Sequence, residues 1–278
     1  MDTQPADVPA ADALVAGPPC PPWSRMGLAA SWRDPRAKAF LHILTWIVSL
    51  AKRGLKFFVL ENVKGMADRR KGDRERPLDR ILKILRRGLP ENWSIQTVIS
   101  NSCVTAQSRE RVYLIGSRRS VPDISIALER LPRAEVKNVL LLSSSVKKAH
   151  HLKDTHKANL ERYMQLLRPK LIDAQYSGEI AIFEIDRNPK AHQRWQLRTD
   201  GLTPCLRTRG DLWVVSLGDP QPAISRMLCP AERCLLQGIS PKSLPRKGIS
   251  DRDVVIGCAN AMTVPVVGTI LSAALSAW

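Results

Sequence analysis

Cys20 lies between prolines on both sides, in the run Gly17-Pro-Pro-Cys-Pro-Pro-Trp23. Proline fixes φ, removes a backbone donor and pushes the residue before it toward extended backbone, so this cysteine belongs in a stiff loop. A thiol held there is either a small packed hydrophobe or a nucleophile presented for attack. Two further segments carry matching chemistry. Glu61 and Asn62 follow the apolar run KFFVL, where a carboxyl group can give or take a proton. Arg109 and Arg111, in QSRER, bring guanidinium groups that stay charged and hold a fixed donor geometry.

The elements that must position these groups read as alternating strands and helices. A strand at 13–16 feeds the proline loop, and Asp34-Pro35 supplies an N-cap with proline at the first helical position. The stretch AKAFLHILTWIVSLAKRG has helical apolar spacing and closes on Gly54. A second strand at 56–60 follows, then a helix in RPLDRILKILRRG ending at Gly88, and two more strands at 94–100 and 111–116. The last two strands are too close in sequence for a parallel crossover, so they form an antiparallel hairpin. Ligands gather at the carboxyl ends of parallel strands in an open α/β sheet, where Cys20 and Glu61 fall. An antiparallel strand brings its amino end to the same edge. In extended chain Arg109 and Arg111 project to one face, and a thiol, a carboxylate and two guanidinium groups meet on one rim.

Composition points to the partner. The 278 residues suffice for one large or two modest domains, and 44% are hydrophobic. Lys and Arg number 43 against 26 Asp and Glu, and the resulting +17 suits a polyanion, nucleic acid before membrane. The six cysteines are scattered without a CxxC pair or secretory leader, which places the chain in a reduced, intracellular setting. The apolar stretch from Val254 to Leu275 is broken by Asn260 and Pro265, and reads as a buried strand or loop before a core helix rather than a membrane span. His150, His151 and His156 lack a matching cysteine or carboxylate cluster and receive no metal role. The basic run from Arg69 to Arg87 fits a solvated helix face at least as well as a DNA contact.

GPPCPPWS, LENVKG, QSRERVYLIG, RMLCPAERCLLQG and CANAMTVPVV, in this order across residues 12 to 270, resemble the motifs of cytosine-C5 DNA methyltransferases. The resemblance implies an α/β fold: an incomplete Rossmann-like methyltransferase sheet with an antiparallel strand, plus a smaller irregular target-recognition region. It divides the chain into a partial catalytic region (1–120), the target-recognition region (121–220) and a C-terminal segment returning to the catalytic part (221–278). Cys20 is then the nucleophile toward cytosine C6, Glu61 the acid at N3, and Asn62 a holder of base or loop. Arg111 contacts O2, and Arg109 orients Glu61 or the cysteine loop. The target base must be flipped out of the duplex. Ser24, Gln107, Arg207, Arg209, Arg226 and Gln237 are the implied nucleic-acid contacts, Arg226 and Gln237 by positioning.

The implied methyl donor is S-adenosylmethionine, and Pro19, Asn260 and Ala261 match positions lining its pocket. Pro21, Trp23 and Ala259 depart from the usual glutamine, phenylalanine and glycine. The larger departure is that only MDTQPADVPAAD precedes the first strand, with no room for the family's FxGxGG turn and ribose-binding acid. That leaves four readings: a DNA methyltransferase fragment, a DNA-binding remnant, one chain of an enzyme completed by a complementing subunit, or a tRNA cytosine methyltransferase. The implied compartment is the nucleus of a eukaryote or the cytoplasm of a bacterium.

Overall fold

The computed structural model describes residues 4–24, 31–69, 72–141, 152–172, 180–190, 197–217, 224–245 and 247–278. His150, His151, Arg70 and Lys71 lie outside the described residues. Two compact units result: Met1–Ser100 with Glu110–Arg130 and Val266–Trp278, and Asn101–Arg109 with Leu131–Pro265. Of the C-terminal segment, Val266–Trp278 joins the first unit, and the residues up to Pro265 join the second.

The first unit holds β1 (Ala13–Ala16), β2 (Phe57–Val63), β3 (Ser94–Asn101) and β4 (Glu110–Ser117) in the order β1-β2-β4-β3. β1 runs parallel to β2 with Ala16 opposite Leu60, and β4 runs antiparallel to β2 with Arg111 opposite Val63. Both orientations agree with the sequence reading. β2 extends further than expected, because β4 pairs with it along its whole length; Glu61 and Asn62 therefore lie inside the strand. Phe57 to Asn62 are all buried, as expected for a strand paired on both sides. Gly116 opposes Phe58, and a Cβ there would come within 2.1 Å of the Phe58 ring. Only glycine lets that ring lie across β4, where it also stacks on Trp93.

Helices α1 (Ala37–Ala51) and α2 (Pro77–Gly88) supply the apolar layer. Phe40, Leu44, Ile47 and Leu50 of α1 and Leu78, Ile81 and Leu85 of α2 form one core with Phe58, Leu60, Val112 and Leu114 of the sheet. α1 begins later than the sequence suggests. Asp34 does not cap it, because the carboxylate accepts from the backbone N and guanidinium of Arg36 at 2.7–2.9 Å. Gly54, at φ +106°, turns the chain out of α1 toward β2. α2 starts at Pro77, where a missing N–H costs nothing, and ends with Arg86 and Arg87 against the negative end of its dipole. A short α3 (Ile124–Glu129) is capped by Asp123.

The second unit is more regular than the sequence suggests. β5 (Ile180–Glu184), β6 (Leu197–Arg198), β7 (Leu212–Ser216) and β8 (Ser225–Met227) form a sheet in the order β6-β5-β7-β8, every pair antiparallel. These strands are short and far apart in sequence, so alternation over a single window does not expose them. On α4 (Asp154–Ile172), Tyr163 stacks on Phe183 with centroids 4.4 Å apart. α5 (Pro230–Leu235) and α6 (Asp251–Asn260) follow. The expected strand or loop before the last helix is instead α6, started by a Ser250 and Asp253 capping box. α7 (Val264–Leu275) accommodates Pro265 in its first turn, where no intrahelical donor is required. Among the described residues no single helix is long and apolar enough to cross a membrane.

The proline loop is fastened to the first core by Trp23. Its indole is 0% exposed and meets Trp32 edge-on at 4.7 Å and Phe40 at 6.1 Å. Trp23→Ala is expected to destabilise the chain by about 3–5 kcal/mol through the cavity it leaves. Trp23→Phe should cost clearly less, as read from the midpoint of denaturant unfolding.

Candidate active site

Because β1 and β2 are parallel and end in register, the 17–20 loop and the Glu61–Val63 strand end leave the sheet on one edge. Asn62 ties them together. Its Nδ2 donates to the Pro18 carbonyl at 3.1 Å, and its Oδ1 accepts from Val63 N at 2.9 Å. The loop then turns tightly, with Trp23 N and Ser24 N both donating to the Cys20 carbonyl at 3.0 Å. Cys20 itself is half-buried.

Glu61 and Arg111 share a face of the β2–β4 pair, as their register requires. Arg111 Nε lies 2.9 Å from Glu61 Oε1, with the two side chains 12% and 11% exposed. Water screens such a pair far less than one on the open surface. Arg36 is a neighbour that the motifs do not reveal. Its hydrogen bonds to Asp34 raise its pKa, with Cys20 a smaller contributor, and they hold the Asp34 carboxyl at about 2. Cys20 thus lies within the electrostatic reach of a guanidinium supplied by the segment before α1.

Arg109 lies outside the strand and is held within the second unit. β4 begins at Glu110, so the alternation that pairs Arg109 with Arg111 does not extend to it. Its backbone N donates to Asn101 Oδ1, and its buried guanidinium reaches the Ala261 carbonyl at 3.0 Å and Cys205 Sγ at 3.6 Å. All three partners lie in the second unit.

Four of the six expected nucleic-acid contacts are interior supports. Gln107 donates to Leu236 O and accepts from Leu206 N, and Gln237 donates to Cys258 O and accepts from Thr263 Oγ1. Both glutamines are fully buried. Arg226 grips the buried Glu232 at 2.7 and 2.9 Å. Arg207 forms a two-pronged pair with the buried Glu184 at 2.8 and 2.6 Å, and reaches Asp186 at 3.2 Å. Sequence cannot distinguish a long polar side chain aimed at a phosphate from one aimed at an internal acid. Arg209 is exposed, and Ser24 is half-buried in the Cys20 turn.

Of the residues matched to the methyl donor, Pro19 belongs to the first unit, and Asn260 and Ala261 to the second. Pro19 and Asn260 are exposed, and the Ala261 carbonyl already accepts from Arg109. Asn260 is the one member of the three with a polar side chain. No cluster of metal-ligating side chains occurs among the described residues.

A family model described as C-5 cytosine-specific DNA methylase matches residues 1–275. The type II methyltransferase M.NlaIV of Neisseria lactamica is 30% identical over 139 residues, 48% of this chain and 31% of that protein. M.FnuDI of Fusobacterium nucleatum is 33% identical over 115 residues, 41% of this chain and 31% of that protein. The chain's matches thus span about a third of the length of these relatives. The solved S. pombe Dnmt2 methyltransferase superposes with a TM-score of 0.60 at 14% identity, covering 99% of this chain and 81% of that one. The Entamoeba histolytica methyltransferase EhMeth gives 0.57 at 15% identity, covering 95% and 77%. At such identities the structural likeness concerns the fold.

Burial pushes the Glu184 carboxyl above its ordinary pKa, and the Arg207 guanidinium opposes that shift. Arg207→Met should therefore destabilise the second unit by about 3 kcal/mol at pH 8. With its main partner gone, Glu184 takes up a proton in the folded state at a pH where the unfolded chain has none, so stability rises as pH falls through the raised folded pKa toward the unfolded one. Thermal unfolding should show the variant recovering part of its loss at pH 5.

Proposed function

The chain belongs to the C-5 cytosine-specific DNA methylase family, and on that premise we propose that it works on C5 of cytosine in DNA through a covalent adduct at Cys20. The observation that carries this reading is the shared sheet edge, where Asn62 ties the Cys20 loop to the strand bearing the Glu61–Arg111 pair. Cytosine C5 is a poor nucleophile. Addition of the Cys20 thiolate to C6 opens the C5–C6 double bond, and Glu61, delivering a proton to N3, neutralises the charge that develops on the ring. The ring is then an enamine with C5 as its electron-rich carbon. Arg111 steadies Glu61 and, with the base in place, donates to O2. Asn62 keeps the loop at its working distance. Loss of the C5 proton and expulsion of Cys20 return the aromatic ring.

S-adenosylmethionine would supply the electrophilic methyl group. Pro19, Asn260 and Ala261 would be among the residues that hold it, while Cys20, Glu61, Asn62 and Arg111 carry the steps on the cytosine. Because C6 and N3 are out of reach inside a duplex, the base must be flipped, and the basic surface holds the backbone while it is out. This reading places the chain inside the cell, on DNA and away from membranes.

A second reading, in which a complementing chain brings the donor site, draws support from β1. It is an edge strand, Val15 is 44% exposed, and ALVA carries neither charge nor proline to blunt the edge. Donor-dependent methylation by these residues alone would rule that out.

Addition without a donor has its own signature. The adduct can pick up a solvent proton at C5, lose the original hydrogen and revert, so tritium at C5 of cytosine in mixed-sequence duplexes should be released without S-adenosylmethionine. Cys20→Ser should reduce release to background and Glu61→Gln by about 100-fold or more, with circular dichroism confirming folded variants. Release unaffected by Cys20→Ser, or none from the folded parent chain, would overturn the assignment.

A further inference from the structure

An arginine outside the proposed catalytic edge stands out in the second unit. Arg233, on α5, is 2% exposed, and its Nη2 donates to the Gly210 carbonyl at 2.8 Å. Its Nε and Nη1 are buried without an acceptor. Burial pushes its pKa below the ordinary value, with Asp211 first among the nearby groups that oppose the shift. A buried guanidinium with no carboxylate bonded to it is expensive, and an apolar side chain of similar size would be cheaper.

What Arg233 holds is the segment around Gly210. On one side Leu206 N is bonded to Gln107 Oε1 at 3.0 Å, and Arg207 is clamped to Glu184. On the other side Ile185 N donates to the Asp211 carbonyl at 2.9 Å. Gly210 sits so close to Arg207 that a Cβ on it would come 3.3 Å from Arg207 Nη2. Between these anchors Thr208 and Arg209 are exposed. The result is a cationic tip on a mount fixed from two sides, which loses little conformational freedom when it meets a ligand.

We propose that Arg209 is the side chain through which this loop contacts a backbone phosphate of duplex DNA, and that Arg233 is a positioning residue acting on that contact through Gly210. The inference rests on the DNA reading given above. The basic residues around the loop then have separate roles. Arg207 and Arg233 face inward and set the mount, whereas Arg209 faces outward and makes the contact.

Fluorescence anisotropy with mixed-sequence duplexes across a salt series separates the two roles. A direct phosphate contact contributes about one to the slope of log affinity against log salt, and about fivefold in affinity at 0.15 M. Arg209→Gln should therefore lose both. Arg233→Met should lose a similar factor in affinity at an unchanged slope, with a Tm equal to or above that of the parent, and Arg233→Lys should recover part of the affinity.

Unchanged affinity in Arg233→Met would overturn the positioning role. An unchanged slope in Arg209→Gln would overturn the assignment of the tip. That exposed substitution decides the matter alone should Arg233→Met lose its fold. Absence of salt-dependent binding by the parent chain would overturn the DNA reading itself, and this inference with it.

Discussion

β2 is buried along almost its whole length and paired on both sides, yet its carboxyl end carries Glu61 and Asn62. Polar groups in such a place are costly unless each finds a partner. Glu61 has Arg111 across the ladder, and Asn62 has the Pro18 carbonyl and its neighbour's amide. Meeting this constraint fastens the proline loop to the strand and fixes where Cys20 can be. The stiffness of the loop and the depth of Trp23 leave the thiol little freedom beyond that point. Structural economy and the proposed chemistry thus rest on the same few side chains.

Much of this edge was legible in the sequence. Strands at 13–16 and 56–60, their parallel pairing and the antiparallel return at 111–116 follow from short apolar runs, glycine stops and spacing. The chemistry-bearing residues stand at the ends of those runs. Other features were not legible because they depend on partners that a local pattern does not reveal. Asp34 reads as a cap until Arg36 claims its carboxylate. Arg109 reads as the strand companion of Arg111 until Asn101 takes its amide and β4 starts one residue later. The second sheet escaped for a related reason: IAIFE and LWVVS are short, and their pairing spans nearly thirty residues of intervening chain.

The basic residues illustrate the same limit of local patterns. A net charge of +17 indicates a polyanionic partner but not which cations meet it. Arg207 and Arg226 are committed to the buried acids Glu184 and Glu232, where removing one partner would strand a charge. Gln107 and Gln237 spend both ends of their amides inside the second unit. Such residues shape a binding surface from within. The outward group on that stretch is Arg209, which carries no signal in the sequence to set it apart from Arg207.

The central claim is that the cysteine of the proline loop is the nucleophile toward cytosine. A duplex carrying 2-pyrimidinone in place of cytosine offers a C6 that is more electrophilic, because the 4-amino donor is gone, and a thiolate held against it should add and remain. Peptide-resolved mass spectrometry of the trapped complex should place the modified base on Cys20 alone of the six cysteines. An adduct on any other cysteine, or none on a folded chain that binds the duplex, would contradict the account.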